Sequence, residues 1–590
     1  MKKMPLKFKI ILVGNMFLFM IIYMIVFGRS NAAIGLTMAM AAFMNLGNDM
    51  SYKPKISFLK VSILLLILGI GAYLNNPLSI LGCILTFFIV FGTTFSSYHL
   101  FGRDVYLPYL MAYFMMFCIP VSLGDLPMRL ISLIFGAVFI VGLNILVNRK
   151  KDRKLSKETI CSLIEEIDKA IDLKLEGKEV SKESFKTANG FYSSLFNKFE
   201  YKYLPSPRQE SVLNIVKAFQ YIGVILADFD LSKNELNYLK KTLDEILEIN
   251  PNDICESVNV ETDEMYLVLL NLEIIADEIK NKDFEKESAI SEKKSLKELF
   301  KPFLKYQFSF RSAKFTFAFK MAVILTLWVV LTFIFDLPYT KWLYFASIPL
   351  MQPYVDDMEY QSKSRIQGTL IGAFIFMILV LIYPHSSLSV NSYSVIVMII
   401  CMFGMIFWLE EKRTLTIFTT LMSISMSLMY ISPNMAITLK VLWVVVGAIV
   451  VSIFNFGFLP YSVEKETKNN LAISCDLNKK SIGLIKKRCL GKEYENKNSL
   501  LVLSSIVREN IEVTDDNREL FELQVKITDI CNFILSYMDV YEFSDDLKSK
   551  MINVIDGKDV KDSDEIKDTV IIRSMKYVKK LFNTQNQLIN

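Results

Sequence analysis

The sequence predicts an all-α membrane protein: two six-helix transmembrane repeats, each followed by a cytosolic helical domain. Three observations carry this. Hydrophobic residues make up 52% of the 590 and the mean hydropathy is positive, unlike a soluble chain of this length. The apolar residues gather in two blocks, 10–148 and 314–460, and the stretches after each are rich in Lys, Glu and Asp. Each block divides into six runs, and in lipid an apolar run satisfies its backbone as a helix. The expected domains are therefore 1–148, 149–313, 314–460 and 461–590.

The first block reads as spans near 10–27, 31–47, 57–74, 78–97, 105–121 and 129–147. The second reads as spans near 314–335, 342–354, 366–383, 391–409, 414–431 and 435–458. Turn residues separate several of them: Asn75-Asn76-Pro77, Gly124-Asp125-Leu126-Pro127, Asp336-Leu337-Pro338 and Ser432-Pro433-Asn434. The run 10–27 follows Lys2, Lys3, Lys7 and Lys9 as the core of a signal peptide would, with Ser30-Asn31-Ala32 resembling a cleavage site. It is nonetheless long enough to cross about 30 Å of hydrocarbon. Cleavage would leave five spans against six, so a retained first span is expected.

Charge orients the spans. Lys53, Lys55 and Lys60 share one loop, Arg103 lies in another, and Arg149-Lys150-Lys151 with Arg153 and Lys154 close the first block. The loops near 75 and 432 carry no Lys or Arg. The positive-inside bias then puts both termini and both polar segments in the cytoplasm, with the spans in the cytoplasmic membrane. Six is an even number, so the two halves face the same way, related by an axis along the membrane normal. Arg129, Gly136-Ala137 and Asn144 of the sixth span align without gaps onto Lys440, Gly447-Ala448 and Asn455 of the twelfth.

The polar segments show helical rather than strand periodicity. Ile160, Leu163, Ile164, Ile167 and Ile171 form one stripe, and Val212, Ile215, Val216 and Phe219 another. With breaks at Pro205-Ser206-Pro207 and Asn250-Pro251-Asn252, about five amphipathic helices are expected before a charged linker at 281–298. The tail repeats the style, with Leu520, Leu523, Val525 and Ile527 to Ile534 marking another packed helix. These stripes serve as an ordinary core, or also as a gate or dimer interface, which would make the protein a homo-oligomer.

Several function classes are excluded. A net charge of +5 is too small to imply a nucleic-acid partner, and no P-loop or dinucleotide fingerprint is present. The eight cysteines are scattered without a CxxC pair, so neither structural disulfides nor a metal is expected. No nucleophile, base and oxyanion set is visible; the chain reads as a non-enzyme without a cofactor.

The second block carries a more specific pattern. It begins Phe310-Arg311-Ser312-Ala313-Lys314-Phe315, then reads Tyr339-Thr340-Lys341-Trp342, Pro349-Leu350-Met351-Gln352-Pro353 and Arg365-Ile366-Gln367-Gly368-Thr369-Leu370-Ile371-Gly372. This resembles the fusaric acid resistance (FUSC-like), or aromatic acid exporter, family, whose hallmark is a tryptophan before a short span ending near Gln-Pro, then an arginine and Gly-Thr-x-x-Gly. The motif residues are Trp342, Gln352, Pro353, Arg365, Gly368, Thr369 and Gly372. In the first half the pattern is eroded: Asn31 stands roughly where the tryptophan would. The resemblance implies export of aromatic or other amphipathic organic carboxylates, with an accessory transport subunit as a conceivable partner. A more distant likeness is to plant aluminium-activated malate channels, which pair six spans with a cytosolic helical domain in a dimer. That likeness implies a passive channel as a rival, and a non-transporting scaffold is a third reading.

Charges within spans are few and mark candidate sites. Arg129 and Lys440 occupy equivalent places near external span ends, where they would attract an anion or snorkel to the interface. Lys320, two turns into the seventh span, is a third candidate. Arg103, Lys412 and Arg413 would form a basic inner mouth, or serve only as topology signals. Trp342–Tyr354 reads as a short span interrupted by Pro349 and Pro353, a form that often lines substrate sites. Gly368 and Gly372, four apart, permit close helix packing. No Asp or Glu falls mid-span, and His99 and His385 lie in loops, so the sequence holds no obvious proton carrier.

Overall fold

The computed structural model describes residues 14, 18–19, 21–47, 50, 54–75, 80–97, 105–148, 151–178, 180, 207–246, 262–280, 308–310, 312–335, 341–356, 358–382, 390–408, 411–427, 432–492, 500, 504, 507–508, 511–540, 542–561 and 566–589. Its elements among these are helical. The first block holds α1 (Arg29–Met44), α2 (Pro54–Leu74), α3 (Ile80–Ser97), α4 (Tyr106–Cys118) and α5 (Leu126–Asn148), preceded by helical residues 21–27. The first polar segment holds α6 (Lys151–Leu175), α7 (Pro207–Asp228), α8 (Lys233–Glu245) and α9 (Asp263–Lys280). The second block holds α10 (Ala313–Phe335), α11 (Lys341–Leu350), α12 (Met358–Ile382), α13 (Val390–Phe407), α14 (Lys412–Ser427) and α15 (Pro433–Gly457). The tail holds α16 (Val463–Cys489), α17 (Arg518–Val540), α18 (Asp545–Ile555) and α19 (Ile566–Ile589).

Two compact units result. One joins both apolar blocks, Met1–Arg149 with Tyr306–Val463, and the other joins both polar segments, Lys150–Lys305 with Glu464–Asn590. Six helices of the apolar unit, α2, α3, α5, α10, α12 and α15, are long and apolar enough to cross a bilayer. The expected loops at Arg103, His99, His385, 281–298 and 250–252 lie outside the described residues.

Within the apolar unit the blocks join through aromatic contacts. Antiparallel α3 and α10 form a ladder in which Phe91 meets Phe315 at 5.5 Å and Phe87 meets Phe319 at 5.8 Å, ring centre to ring centre. Phe114 of α4 stacks on Tyr344 of α11 at 4.6 Å, and Tyr106 meets Phe317 edge-on at 5.2 Å. Such pairs each add about 0.5–1.5 kcal/mol beyond area burial. The helical residues 21–27 break into α1 at Gly28, whose φ of +81° favours glycine, after one residue rather than the three expected.

The predicted span 342–354 is shorter than expected. α11 stops at Leu350, leaving Gln352 and Pro353 in irregular chain. Pro349 removes a backbone donor from its last turn, and Gln352 Nε2 donates to Pro349 O at 3.1 Å to close it. At about 1.5 Å per residue, α11 covers about half of a hydrocarbon core. The chain beyond it is tied to the end of the block, with Val355 N donating to Tyr461 O at 3.0 Å and Val463 N to Asp356 Oδ2 at 2.9 Å.

The polar unit is a helical body with its own core. Leu163, Ile167 and Ile171 of α6 are buried, as are Ile215, Val216 and Phe219 of α7 and Val525, Ile527, Ile530 and Ile534 of α17. Tyr221 of α7 stacks on Phe533 of α17 at 4.4 Å, joining the first polar segment to the tail. The start of α8 is fixed by a capping box in which Ser232 Oγ accepts from Glu235 N and Glu235 Oε2 accepts from Ser232 N. Glu235 Oε1 also accepts from Thr262 N and Oγ1, so one carboxylate ties the starts of α8 and α9. Burial alone would raise the carboxyl of Glu235, but these hydrogen bonds outweigh it and hold it below the usual carboxylate range.

A depressed carboxyl stabilises the fold above its unfolded pKa, and that contribution is lost as pH falls through the folded value. Glu235→Gln keeps one amide oxygen and replaces the other with an NH2 donor, so one of the two helix starts loses its acceptor at a cost of about 1–3 kcal/mol. Amide hydrogen exchange in the first turn of α8 or of α9 should therefore rise at least about fivefold at neutral pH. Acidifying the wild type below the usual carboxylate range should reproduce the effect.

Candidate functional site

Among the cations on the spans of the apolar unit, Arg129 on α5, Lys320 on α10, Arg365 on α12 and Lys440 on α15 lie within the helices, and Lys314 is buried at the start of α10 with its Nζ 5.1 Å from the centre of the Phe95 ring. Arg129, Lys320 and Lys440 are buried, at 2%, 0% and 5% exposure, and Arg365 is half-buried. Among the described residues of this unit, none of the buried ones is Asp or Glu. Burying a charge costs several kcal/mol unless it is paired and hydrogen-bonded, so what each cation meets decides what it can do.

Arg129 is held by protein groups. Its Nε donates to Asn31 Oδ1 at 3.0 Å and its Nη1 donates to Ile119 O at 2.6 Å. Asn31 in turn donates to Phe27 O at 2.9 Å, so its amide is fixed with the oxygen toward the guanidinium. Asp125, in the turn before α5, lies within electrostatic reach of Arg129 and accepts from Ser122 Oγ at 2.7 Å.

Lys440 meets a different environment. Its Nζ lies 4.4 Å from the centre of the Trp342 ring at the start of α11, a cation–π contact. Arg365 lies within electrostatic reach of Lys440 and donates from Nη2 to Phe345 O at 3.1 Å, one turn beyond Trp342. Its Nε is buried and has no hydrogen-bond partner among the described residues, and neither has Nε1 of Trp443, one turn after Lys440. Two cations thus converge on α11 with donors to spare. Arg129 and its partner Asn31 are 98 positions apart in the first apolar block, and Lys440 and its partner Trp342 are 98 positions apart in the second. Gly136 and Gly447 also correspond: the first lies against Met38 of α1, the second against Leu343, Ala346 and Ser347 of α11.

Lys320 is buried on α10, and its Nζ has no hydrogen-bond partner among the described residues. Lys412 and Arg413 are exposed in the first turn of α14, where Lys412 lies over the Tyr360 ring at 5.9 Å and Arg413 reaches Glu411 at 4.0 Å. Arg103 lies outside the described residues. The partners described for Arg129 and for Lys440 lie in separate apolar blocks, Asn31 and Ile119 in the first and Trp342 in the second.

Gly368 and Gly372 set the approach of α12 to α14. A Cβ on Gly368 would fall 2.7 Å from Arg413 O, and one on Gly372 would fall 3.0 Å from Ile417 O. Thr369 between them is buried. Arg365 entered the sequence reading as a motif residue but not as a candidate anion ligand. The available signal was an arginine just before an apolar run, three residues before Gly368. The partners of Arg129 gave none, since a main-chain carbonyl leaves no mark in sequence.

Residues 325–454, from within α10 to near the end of α15, match the family model described as fusaric acid resistance protein-like. The resemblance read from Trp342, Gln352-Pro353, Arg365 and Gly368-Thr369-x-x-Gly372 is thereby supported. No curated protein and no solved structure matches the chain.

Gly368→Ala and Gly372→Ala should each lower the melting temperature in detergent, because the new Cβ meets main chain that cannot step aside, at about 1–3 kcal/mol. Gly142→Ala, in α5 where a Cβ would meet nothing within 4 Å, is the matched control and should leave the melting temperature unchanged or slightly raised, since alanine is the better helix former.

Proposed function

We propose that this chain is a multi-pass transporter of the cytoplasmic membrane that exports organic anions, among them aromatic carboxylates. The observation that carries the reading is the set of buried or half-buried cations on the spans of a unit whose described buried residues include no carboxylate. Such an interior attracts an anion and has apolar walls for its hydrocarbon body. The fusaric acid resistance protein-like segment supports a transport or efflux role.

The fuller architecture belongs to this proposal. Twelve spans form two parallel repeats, with both termini and the polar unit in the cytoplasm. The shared 98-position register of Arg129 with Asn31 and Lys440 with Trp342 supports the repeat. The lack of Asp or Glu among the buried described residues of the unit favours a second reading, a passive anion channel, since proton-coupled carriers place a titratable carboxylate in the membrane.

Efflux of radiolabelled benzoate from liposomes carrying the purified full-length protein tests this. Saturable flux above protein-free liposomes is expected. Flux that needs a proton gradient selects the coupled exporter, and current without one selects the channel. Absence of flux for benzoate and a range of organic anions, with and without the gradient, would overturn both.

A further inference from the structure

The two halves place equivalent cations in unequal surroundings, and the inequality says which one binds. Arg129 is held by the Asn31 amide and the Ile119 carbonyl, both fixed protein acceptors. Lys440 has an aromatic face and, within electrostatic reach, a second cation. The register that relates Lys440 to Arg129 places Pro54 opposite Arg365, so the first half has no second cation at that position. Nearby in α2, Lys55 and Lys60 are exposed.

Lys440 and Arg365 reach the same turn of α11 from α15 and α12. The carbonyl of Phe345 takes one guanidinium donor, while Arg365 Nε and Trp443 Nε1 are buried without acceptors among the described residues. Like charges held together away from water are costly, and a counter-ion between them relieves the cost. A carboxylate suits the place: the guanidinium fork offers it planar donors and the ammonium a point charge. α11 is itself the broken, half-length helix, with Pro349 in its last turn, the form in which transporter sites are commonly built.

We infer that Lys440 and Arg365, converging on the α11 turn that carries Trp342 and Phe345, form a carboxylate-binding seat, and that Arg129 is a structural pin. This deepens the organic-anion reading and rests on it for the class of ligand. The seat is asymmetric between the halves, so one seat is expected per chain. Lys320 is not part of it.

Equilibrium binding of radiolabelled benzoate to the purified full-length protein in detergent tests the assignment. The wild type should bind saturably at one site per chain. Lys440→Gln and Arg365→Gln should each weaken binding about tenfold or more, because each removes a charge-assisted partner. Lys440→Arg should stay within a few-fold, and Arg365→Lys should fall between wild type and Arg365→Gln. Arg129→Lys should lose thermal stability yet keep wild-type affinity. Absence of saturable wild-type binding would overturn the assignment. So would wild-type affinity in folded Lys440→Gln or Arg365→Gln, or an equal loss in Arg129→Lys. Circular dichroism and gel filtration establish which variants are folded; if a glutamine variant is not, Lys440→Arg and Arg365→Lys carry the test, and equal affinity in Arg365→Lys and wild type overturns it. Binding without flux defeats the transport reading and leaves the seat. Flux that survives both glutamine variants unchanged defeats the seat and leaves the transport reading.

Discussion

The arrangement depends on one constraint: positive charge placed where water is scarce is costly unless something offsets it. The apolar unit can satisfy every helical backbone internally, which is why its runs fold as helices at all. Its side-chain cations have no such guarantee. Among the described residues, none of the buried ones in this unit carries a carboxylate. Each cation must therefore be neutralised by protein dipoles, by an aromatic face or by something that enters.

The three solutions differ in what they leave possible. Arg129, given an amide oxygen and a carbonyl at hydrogen-bonding distance, fixes α5 against α1 and the end of α4. Lys440, over Trp342 and near Arg365, is incomplete, and its surroundings are built around a helix too short to span. Lys320 is buried with no described acceptor for its Nζ. A common register with different chemistry fits a duplicated framework in which one half keeps a structural contact and the other a binding contact.

Much of the helical framework was legible because a run of apolar residues between turn signals has few ways to fold. The ends of α2, α3, α5, α10 and α15 fall within a few residues of the runs read from sequence. The end of α11 did not follow from the run, because Met351 and Tyr354 extend the apolar pattern while Pro349 and Pro353 end the helix. Trp342, Arg365 and Lys440 were each visible as residues, but their convergence was not. It depends on how α12 and α15 pack on α11, and packing between apolar faces leaves little directional trace in a sequence. Arg129 and Lys440 looked alike in alignment because alignment sees charge and position. The difference lies in their partners, Asn31 and a main-chain carbonyl on one side and an indole on the other.

The most direct measurement is the melting temperature of the purified protein, wild type and Lys440→Gln, without and with millimolar benzoate. A ligand that binds the folded state raises its stability in proportion to RT ln(1 + [L]/Kd). The account predicts that benzoate raises the wild-type melting temperature and raises that of Lys440→Gln clearly less, because the variant's affinity is about tenfold or more weaker. An equal rise in both proteins, or none in either, would contradict it.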